Sequence, residues 1–87
     1  MIARPAVLVT GGARRIGAAI CRRFAEGGWH VAIHCNRSTA DAEALATELA
    51  SAEVVRCDLS DLEAARAMIA GLAERLGDWR ALVNSAS

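Results

Sequence analysis

Short apolar runs alternate with helix-patterned segments along the whole chain. The runs lie at residues 6–10, 31–33, 54–57 and 81–84, and each has the length of a strand covered on both faces. Between the runs, apolar residues recur every three or four positions, as they do on the buried side of a helix. This alternation favours parallel strands joined by right-handed helical crossovers. The sequence therefore predicts an α/β fold with the element order β-α-β-α-β-α-β.

The strand order follows from the same pattern. In a doubly wound parallel sheet of the Rossmann type, the first four strands lie in the order 3-2-1-4. A topological switch point then separates strands one and four, and ligands bind outside the carboxyl ends of the strands. Those ends are followed here by residues 11–15, 35–38, 58–60 and 84–87, which hold the distinctive motifs of the sequence. We expect residues 1–87 to form one half-domain of this kind, with its ligand site at this edge of the sheet.

The helical segments carry apolar stripes and start signals. Ile16, Ile20 and Phe24 predict the buried face of the first helix. Ser60 and Glu63 have the spacing of a capping box, which predicts where the third helix begins. The buried stripe predicted for that third helix consists of Leu62, Ala65, Ile69, Leu72 and Leu76.

Composition excludes several classes of protein. The 87 residues are 54% hydrophobic and include ten arginines but no lysine, with a formal net charge of zero. Nucleic-acid binders carry a basic excess that is missing here. No apolar run is long enough to span a membrane, and the start of the chain leaves no room for a signal peptide. Three widely spaced cysteines form no C-x-x-C pair, so we expect no metal site and a soluble, cytoplasmic protein.

A glycine-containing turn joins the first strand to the first helix. It runs from Thr10 to Gly17 and ends where unpaired backbone N–H groups and the helix dipole favour an anion. Gly11 permits a tight turn, and Gly17 lets the first helical turn approach the sheet or a pyrophosphate closely. The stretch is neither G-x-G-x-x-G nor a Walker phosphate loop, so its β-α-β context carries the prediction of a dinucleotide site. The alternative is a plain strand-to-helix turn.

The residues after the second strand favour NADPH over NADH. In NAD-binding folds, an acid near this position holds the ribose 2′-hydroxyl. Residues 34–38 contain no acid. Arg37, Ser38 and either Arg14 or Arg15 are placed to attract the 2′-phosphate of NADPH instead. The alternative is that Arg37 is a solvated surface residue.

Three motifs resemble those of the short-chain dehydrogenase/reductase family, and the resemblance covers the whole chain. The turn Thr10–Gly17 is similar to the family's T-G-x-x-x-G-x-G, with Arg15 where most members carry glycine. Residues 57–59 resemble the family's adenine-pocket motif, and residues 84–87 resemble its N-N-A-G. From the residues alone, Asp58 either accepts from the adenine amino group or caps the turn that follows it.

The departures from these motifs resemble the pteridine reductase and dihydromonapterin reductase branch. By that resemblance, Arg15 contacts the pyrophosphate and a pterin, and Ser87 lies near the nicotinamide phosphate and the substrate. Arg15 and Ser87 are therefore the predicted substrate-binding residues. The predicted cofactor-binding residues are Gly11, Arg14, Arg15, Ile16, Gly17, Asn36, Arg37, Ser38, Asp58, Leu59, Asn84, Ser85 and Ala86.

The resemblance implies hydride transfer from NADPH to a small carbonyl or pterin substrate. The family's catalytic serine and Tyr-x-x-x-Lys are expected beyond residue 87, because the sequence holds no tyrosine and no lysine. We therefore interpret the chain as the N-terminal part of a reductase, with the C-terminal half absent and a homo-oligomer at full length. The alternatives are a reductase of 3-oxoacyl thioesters or other ketones, a non-catalytic NADP(H)-sensing regulator, and a methyltransferase half-domain, which usually has an acid after the second strand.

Overall fold

Four parallel strands and three helices make up the computed structural model, which describes residues 4–85. The strands form one sheet in the order β3-β2-β1-β4, as the sequence predicts. The elements in chain order are β1 (Ala6–Thr10), α1 (Arg15–Glu26), β2 (His30–Cys35), α2 (Thr39–Glu48), β3 (Ala52–Arg56), α3 (Leu62–Arg75) and β4 (Trp79–Asn84).

The two central strands are the most buried part of the molecule. Every residue of β1 and of β2 is buried, whereas β3 is half-buried and β4 alternates between half-buried and exposed residues. β1 pairs in parallel with β2 on one side and with β4 on the other, aligning Val9 with Ile33 and with Val83. This register brings the carboxyl ends of β1, β2 and β4 to one edge of the sheet.

The helices cover the two faces of the sheet unequally. On one face, residues of α1 and α2, including Cys21 and Leu45, pack against alternate residues of β1 and β2. On the other face, Leu72 and Leu76 pack against Leu8 and the other alternate residues of these strands. Within residues 4–85, no helix combines the length and the apolar character that crossing a bilayer requires.

Two details of the helices differ from the sequence-based predictions. Ile16 is 74% exposed, because α1 turns Gly17, Ala18 and Cys21 toward the sheet instead. The buried stripe of this helix is therefore rotated by about one residue from the predicted one, although Ile20 and Phe24 still pack against its edge.

The start of α3 also differs from its prediction. Asp61, not Ser60, is the N-cap, and its carboxylate accepts a hydrogen bond from the Ala64 amide at 3.2 Å. The Ser60 hydroxyl donates to Asp58 instead, at 2.7 Å. Leu72 and Leu76 make the buried contacts with the sheet and Met68 packs beside them, whereas Leu62 and Ile69 of the predicted stripe are exposed.

Candidate functional site

A cleft opens at the carboxyl edge of the sheet, between the turn after β1 and the loop after β2. Its volume is about 720 Å³. Each of its two walls is the start of a helix, α1 on one side and α2 on the other. The described residues that line it are Gly11, Ala13, Arg14, Arg15, Ile16, Gly17, His34, Cys35, Asn36, Arg37, Ser38 and Ser85.

The glycine turn is shaped by close backbone approaches. Gly11 has a φ of +63°, a backbone conformation that glycine adopts without steric penalty. A Cβ on Gly17 would overlap the carbonyl oxygen of Gly11 and lie 2.8 Å from the Ser85 hydroxyl oxygen. The first turn of α1 therefore reaches β1 and β4 only because residue 17 has no side chain.

The two helices that begin at the cleft carry no side-chain caps. Neither Arg14, the N-cap of α1, nor Ser38, the N-cap of α2, makes a side-chain cap hydrogen bond within residues 4–85. The first turn of α1 also holds no acidic residue. An uncapped helix start presents unpaired N–H groups and the positive end of the helix dipole, and both favour an anion.

Arg15 occupies an unusual backbone conformation at the first position of α1. Its φ is +52°, the left-handed region in which residues with a Cβ are strained. In the motif that this turn resembles, the same position is glycine. The turn thus keeps a guanidinium at the mouth of the cleft in a conformation that glycine would adopt more readily.

Two acids lie nearer the arginines than their sequence positions suggest. Arg14 forms an exposed ion pair with Asp41 of α2, with Nε and Oδ2 3.6 Å apart. Hydrogen bonds from the hydroxyl and the amide of Ser60 lower the pKa of Asp58 below its ordinary value, and the charge of Arg37 lowers it further. Although residues 34–38 contain no acid, the surrounding fold therefore supplies carboxylates at the rim of the cleft.

Asp58 and Leu59 lie in the loop after β3 and do not appear among the described residues that line the cleft. The Asp58 carboxylate accepts from the Ser60 amide at 3.0 Å and from its hydroxyl at 2.7 Å. Its position thus shows the turn-capping arrangement, the second of the two roles that its sequence context allows.

The residues at the carboxyl end of β4 differ in whether they line the cleft. Ser85 lines the cleft, and its hydroxyl donates to the Thr10 carbonyl oxygen at 2.7 Å. Asn84 is exposed outside the lining, and its Oδ1 accepts from the Thr10 hydroxyl at 2.8 Å. The predicted site residues Ala86 and Ser87 lie outside the described residues.

His34 is the part of the site that sequence reasoning missed. No motif of the sequence gives it a role in the site, but it is buried, lines the cleft and makes two side-chain hydrogen bonds. The Gly11 amide donates to its Nδ1 at 3.0 Å, and its Nε2 donates to the Cys57 carbonyl oxygen at 2.8 Å. The available signal was its place in a strand predicted to be covered on both faces, because a buried imidazole requires hydrogen-bond partners.

Comparisons of the whole sequence with known proteins identify the family. The sequence model of the family described as short chain dehydrogenase matches residues 5–87, and the chain belongs to this family. It is 40% identical over 80 residues to an L-fucose dehydrogenase of Oryctolagus cuniculus, covering 92% of this chain and 28% of the relative. It is 34% identical over 83 residues to the 3-oxoacyl-(acyl-carrier-protein) reductase FabG of Staphylococcus aureus, covering 91% of this chain and 34% of the relative.

Solved structures give the same result. A crystal structure of FolM Alternative dihydrofolate reductase 1 from Brucella suis in complex with NADP matches with a TM-score of 0.86 and 46% sequence identity. The match covers 100% of this chain and 36% of that one. The chain thus spans about a third of the length of these relatives.

Proposed function

We propose that the cleft binds NADP(H), and that the chain is the cofactor-binding part of a reductase that acts on a small carbonyl or pterin compound. The observation that carries this proposal is the meeting of two uncapped helix starts with Arg14, Arg15 and Arg37. Among the described lining residues there is no carboxylate to oppose an anion. Bound NADPH would supply the hydride, while the residues of this chain hold and orient the dinucleotide.

The proposed division of the cleft follows its two walls. The first turn of α1 offers backbone N–H groups to a pyrophosphate, and Gly17 leaves room for it to approach. Arg37 and Ser38 lie at the start of α2, where they favour the 2′-phosphate that distinguishes NADPH from NADH. The NADP complex of the similar FolM protein supports this choice of cofactor.

The substrate class has two candidates, each supported by a relative. Similarity to the Brucella suis protein, FolM Alternative dihydrofolate reductase 1, supports a pterin substrate beside Arg15. Similarity to FabG supports a 3-oxoacyl thioester or another ketone. Reduction of a dihydropterin and of an acetoacetyl thioester by the complete protein, measured side by side with NADPH, would separate the two.

Calorimetric titration of the chain with NADPH and with NADH tests the cofactor proposal. Replacing Arg37 with alanine removes a charge-assisted contact to the 2′-phosphate, so the Kd for NADPH should rise roughly ten- to a hundred-fold. The Kd for NADH should change little. The matched control is Arg80→Ala, which removes an exposed arginine paired with Asp78 outside the cleft. Equal affinity for both dinucleotides in the unmodified chain would overturn the assignment of Arg37 to a phosphate.

A further inference from the structure

We propose that His34 is a positioning residue that holds the glycine turn in the shape required for dinucleotide binding, and that it does so only as a neutral imidazole. This inference rests on the proposed function of the cleft. It adds a dependence of binding on pH that the arginines by themselves do not provide, because arginine stays charged throughout the accessible range.

The imidazole connects two loops across the end of the sheet. Its Nδ1 lies 3.0 Å from the amide nitrogen of Gly11, and its Nε2 lies 2.8 Å from the carbonyl oxygen of Cys57. The side chain is almost wholly buried, with only 3% of the residue exposed. The backbone of His34 takes part as well, since its carbonyl oxygen accepts from the Gly12 amide at 3.0 Å. One residue therefore fixes Gly11 and Gly12, the two adjacent glycines at the start of the turn.

The two partners determine which nitrogen of the ring carries the proton. A backbone amide only donates and a carbonyl oxygen only accepts. The Gly11 contact therefore requires a lone pair on Nδ1, and the Cys57 contact requires a proton on Nε2. Only the neutral Nε2–H tautomer satisfies both contacts at once.

The contact with Gly11 bears directly on the space available to a ligand. Gly11 has its φ at +63°, and its carbonyl oxygen lies where a Cβ on Gly17 would stand. A rotation of the Gly11 peptide would move that oxygen relative to the first turn of α1. The hydrogen bond to His34 thus fixes the backbone against which the pyrophosphate is proposed to lie.

Protonation would convert Nδ1 from an acceptor into a donor that faces the donor of Gly11. The contact would then be lost, and a buried N–H group would be left without its partner. Arg14, Arg15 and Arg37 line the cleft together with His34, and on the other side burial and the charges of Asp61 and Asp58 raise the pKa of the neighbouring Cys57 thiol. The charged and titratable groups around His34 are Arg14, Arg15 and Arg37 in the cleft and Cys57, Asp58 and Asp61 on the other side.

Two substitutions separate the two hydrogen bonds of the ring. In His34→Asn the amide oxygen stands near the place of Nδ1, so the acceptor for Gly11 is kept and cannot be protonated. In His34→Gln the amide group stands near the place of Nε2, so the bond to Cys57 is kept and the acceptor for Gly11 is lost. His30→Gln is the matched control, since His30 is equally buried at the opposite end of β2, where it contacts Ser51 and Glu53.

The measurement is the Kd of each protein for NADPH and for NADH from about pH 8 to about pH 5, the range in which histidines change charge. At about pH 8, His34→Gln should bind on the order of ten-fold more weakly than His34→Asn, because only the asparagine keeps an acceptor for the Gly11 amide. On acidification, the unmodified chain and His30→Gln should lose affinity relative to His34→Asn. Because each comparison uses the same ligand, titration of the 2′-phosphate itself cancels.

The results that would overturn the proposed function differ from those that would overturn the role of His34 alone. No NADPH binding by the unmodified chain at about pH 8 would overturn the proposed function and, with it, this role of His34. Binding that is unchanged in His34→Gln, or that varies with pH in the same way in His34→Asn, would overturn the role of His34 alone. Should the variants fail to fold, the Gly11 amide resonance of the unmodified chain decides. It must shift over the same pH range as the affinity, and a constant resonance would contradict the proposal.

Discussion

The two edges of the sheet use similar residues in opposite ways. At the amino edge, where the strands begin, His30 bonds to Ser51 and to Glu53, and Glu53 also bonds to Arg75. At the carboxyl edge, His34 is also buried and bonded, but two helices begin there without side-chain caps within residues 4–85. The amino edge satisfies its polar groups internally, whereas the carboxyl edge leaves donors available to a ligand.

Backbone conformation shows the same difference. In the turn before β2, at the amino edge, the residue with positive φ is Gly28, which has nothing within 4 Å of an added Cβ. At the carboxyl edge, Arg15 adopts a φ of +52° although it has a side chain. Strain and unpaired donors at one edge are the features expected where stability is given up for binding.

The largest effect should come from adding a methyl group to a glycine at the carboxyl edge. In Gly17→Ala the new Cβ would collide with the Gly11 carbonyl and the Ser85 hydroxyl, so we expect a loss of about 3 kcal/mol in the free energy of unfolding. The matched control is Gly71→Ala, where a Cβ meets only the end of the Arg75 side chain, at 3.6 Å.

Urea unfolding followed by circular dichroism measures both variants. Gly71→Ala should leave the stability unchanged or raise it by about 0.5–1 kcal/mol, because alanine favours the interior of a helix. Comparable losses in the two variants would show that the close approach at Gly17 has no special weight, and the difference between the edges would then be weaker than described.

The second effect is a pH dependence that belongs to the amino edge. Burial alone would raise the pKa of Glu53, but the hydrogen bonds from His30 and Arg75 outweigh it and lower the pKa below 4.5. A carboxyl group with a lowered pKa in the folded state stabilises the fold above its unfolded pKa, and this contribution disappears as the pH falls through the folded pKa. Glu53 should therefore stabilise the fold near neutral pH, and this contribution should be lost in acid.

Comparison with Glu53→Gln isolates this carboxylate, because all other groups titrate in both proteins. Melting curves from about pH 7 downward should show a difference in stability that narrows below about pH 4.5. Dinucleotide affinity at neutral pH should be the same in both, since Glu53 lies outside the described lining of the cleft. A constant difference across that pH range would contradict the assigned ion pair.

A smaller effect tests the strain at Arg15. Arg15→Gly should raise the free energy of unfolding by about 1 kcal/mol, because glycine adopts positive φ without the steric penalty of a Cβ. The same change should weaken NADPH binding, since a cation leaves the cleft. Gly28→Ala is the opposite substitution at the amino edge and should destabilise by a similar amount without affecting the affinity. A destabilised Arg15→Gly would show that the side chain makes compensating contacts.

The smallest expected effect concerns the acid at the rim. Asp41→Asn removes the carboxylate paired with Arg14 and frees that guanidinium for an anion. Since exposed ion pairs are weak, the affinity for NADPH should rise only about threefold at low salt, and less at high salt. Glu43→Gln, an exposed acid on the same helix, serves as the control. A lower affinity in Asp41→Asn would mean that Asp41 orients Arg14 and does not compete for it.

The sequence was sufficient for the strands and their order because apolar runs and short connections leave few alternatives. It was not sufficient for the faces of the helices. Ile16 and Gly17 differ by one position, and only the close approach of Gly17 to Gly11 decides which of them faces the sheet. Ser60 and Asp61 are both good N-caps, and the choice depends on Asp58, which engages the Ser60 hydroxyl.

For the candidate site as well, the sequence predicted contacts that depend on strand alignment and missed contacts that depend on helix packing. Gly17, Arg37 and Ser85 follow the neighbouring strands β1, β2 and β4, and the sequence predicts that they lie together because parallel strands align their carboxyl ends. The contact of Asp41 with Arg14 was missed, because it joins the first turn of α2 to the N-cap of α1, whose approach depends on how the helices pack. The hydrogen bonds by which His34 joins Gly11 to Cys57 were also missed, because they too depend on tertiary packing.

The most direct test of an NADP(H) site at the carboxyl edge is a titration of the isotope-labelled chain with NADPH, followed through its backbone amide resonances. The amides that shift should be those of residues 11–17 and 35–38, at the starts of α1 and α2, while His30, Glu53 and their neighbours at the amino edge stay unchanged. Shifts centred on the amino edge would contradict an NADP(H) site at the carboxyl edge. Shifts scattered over the chain and equal for NADPH and NADH would contradict it as well.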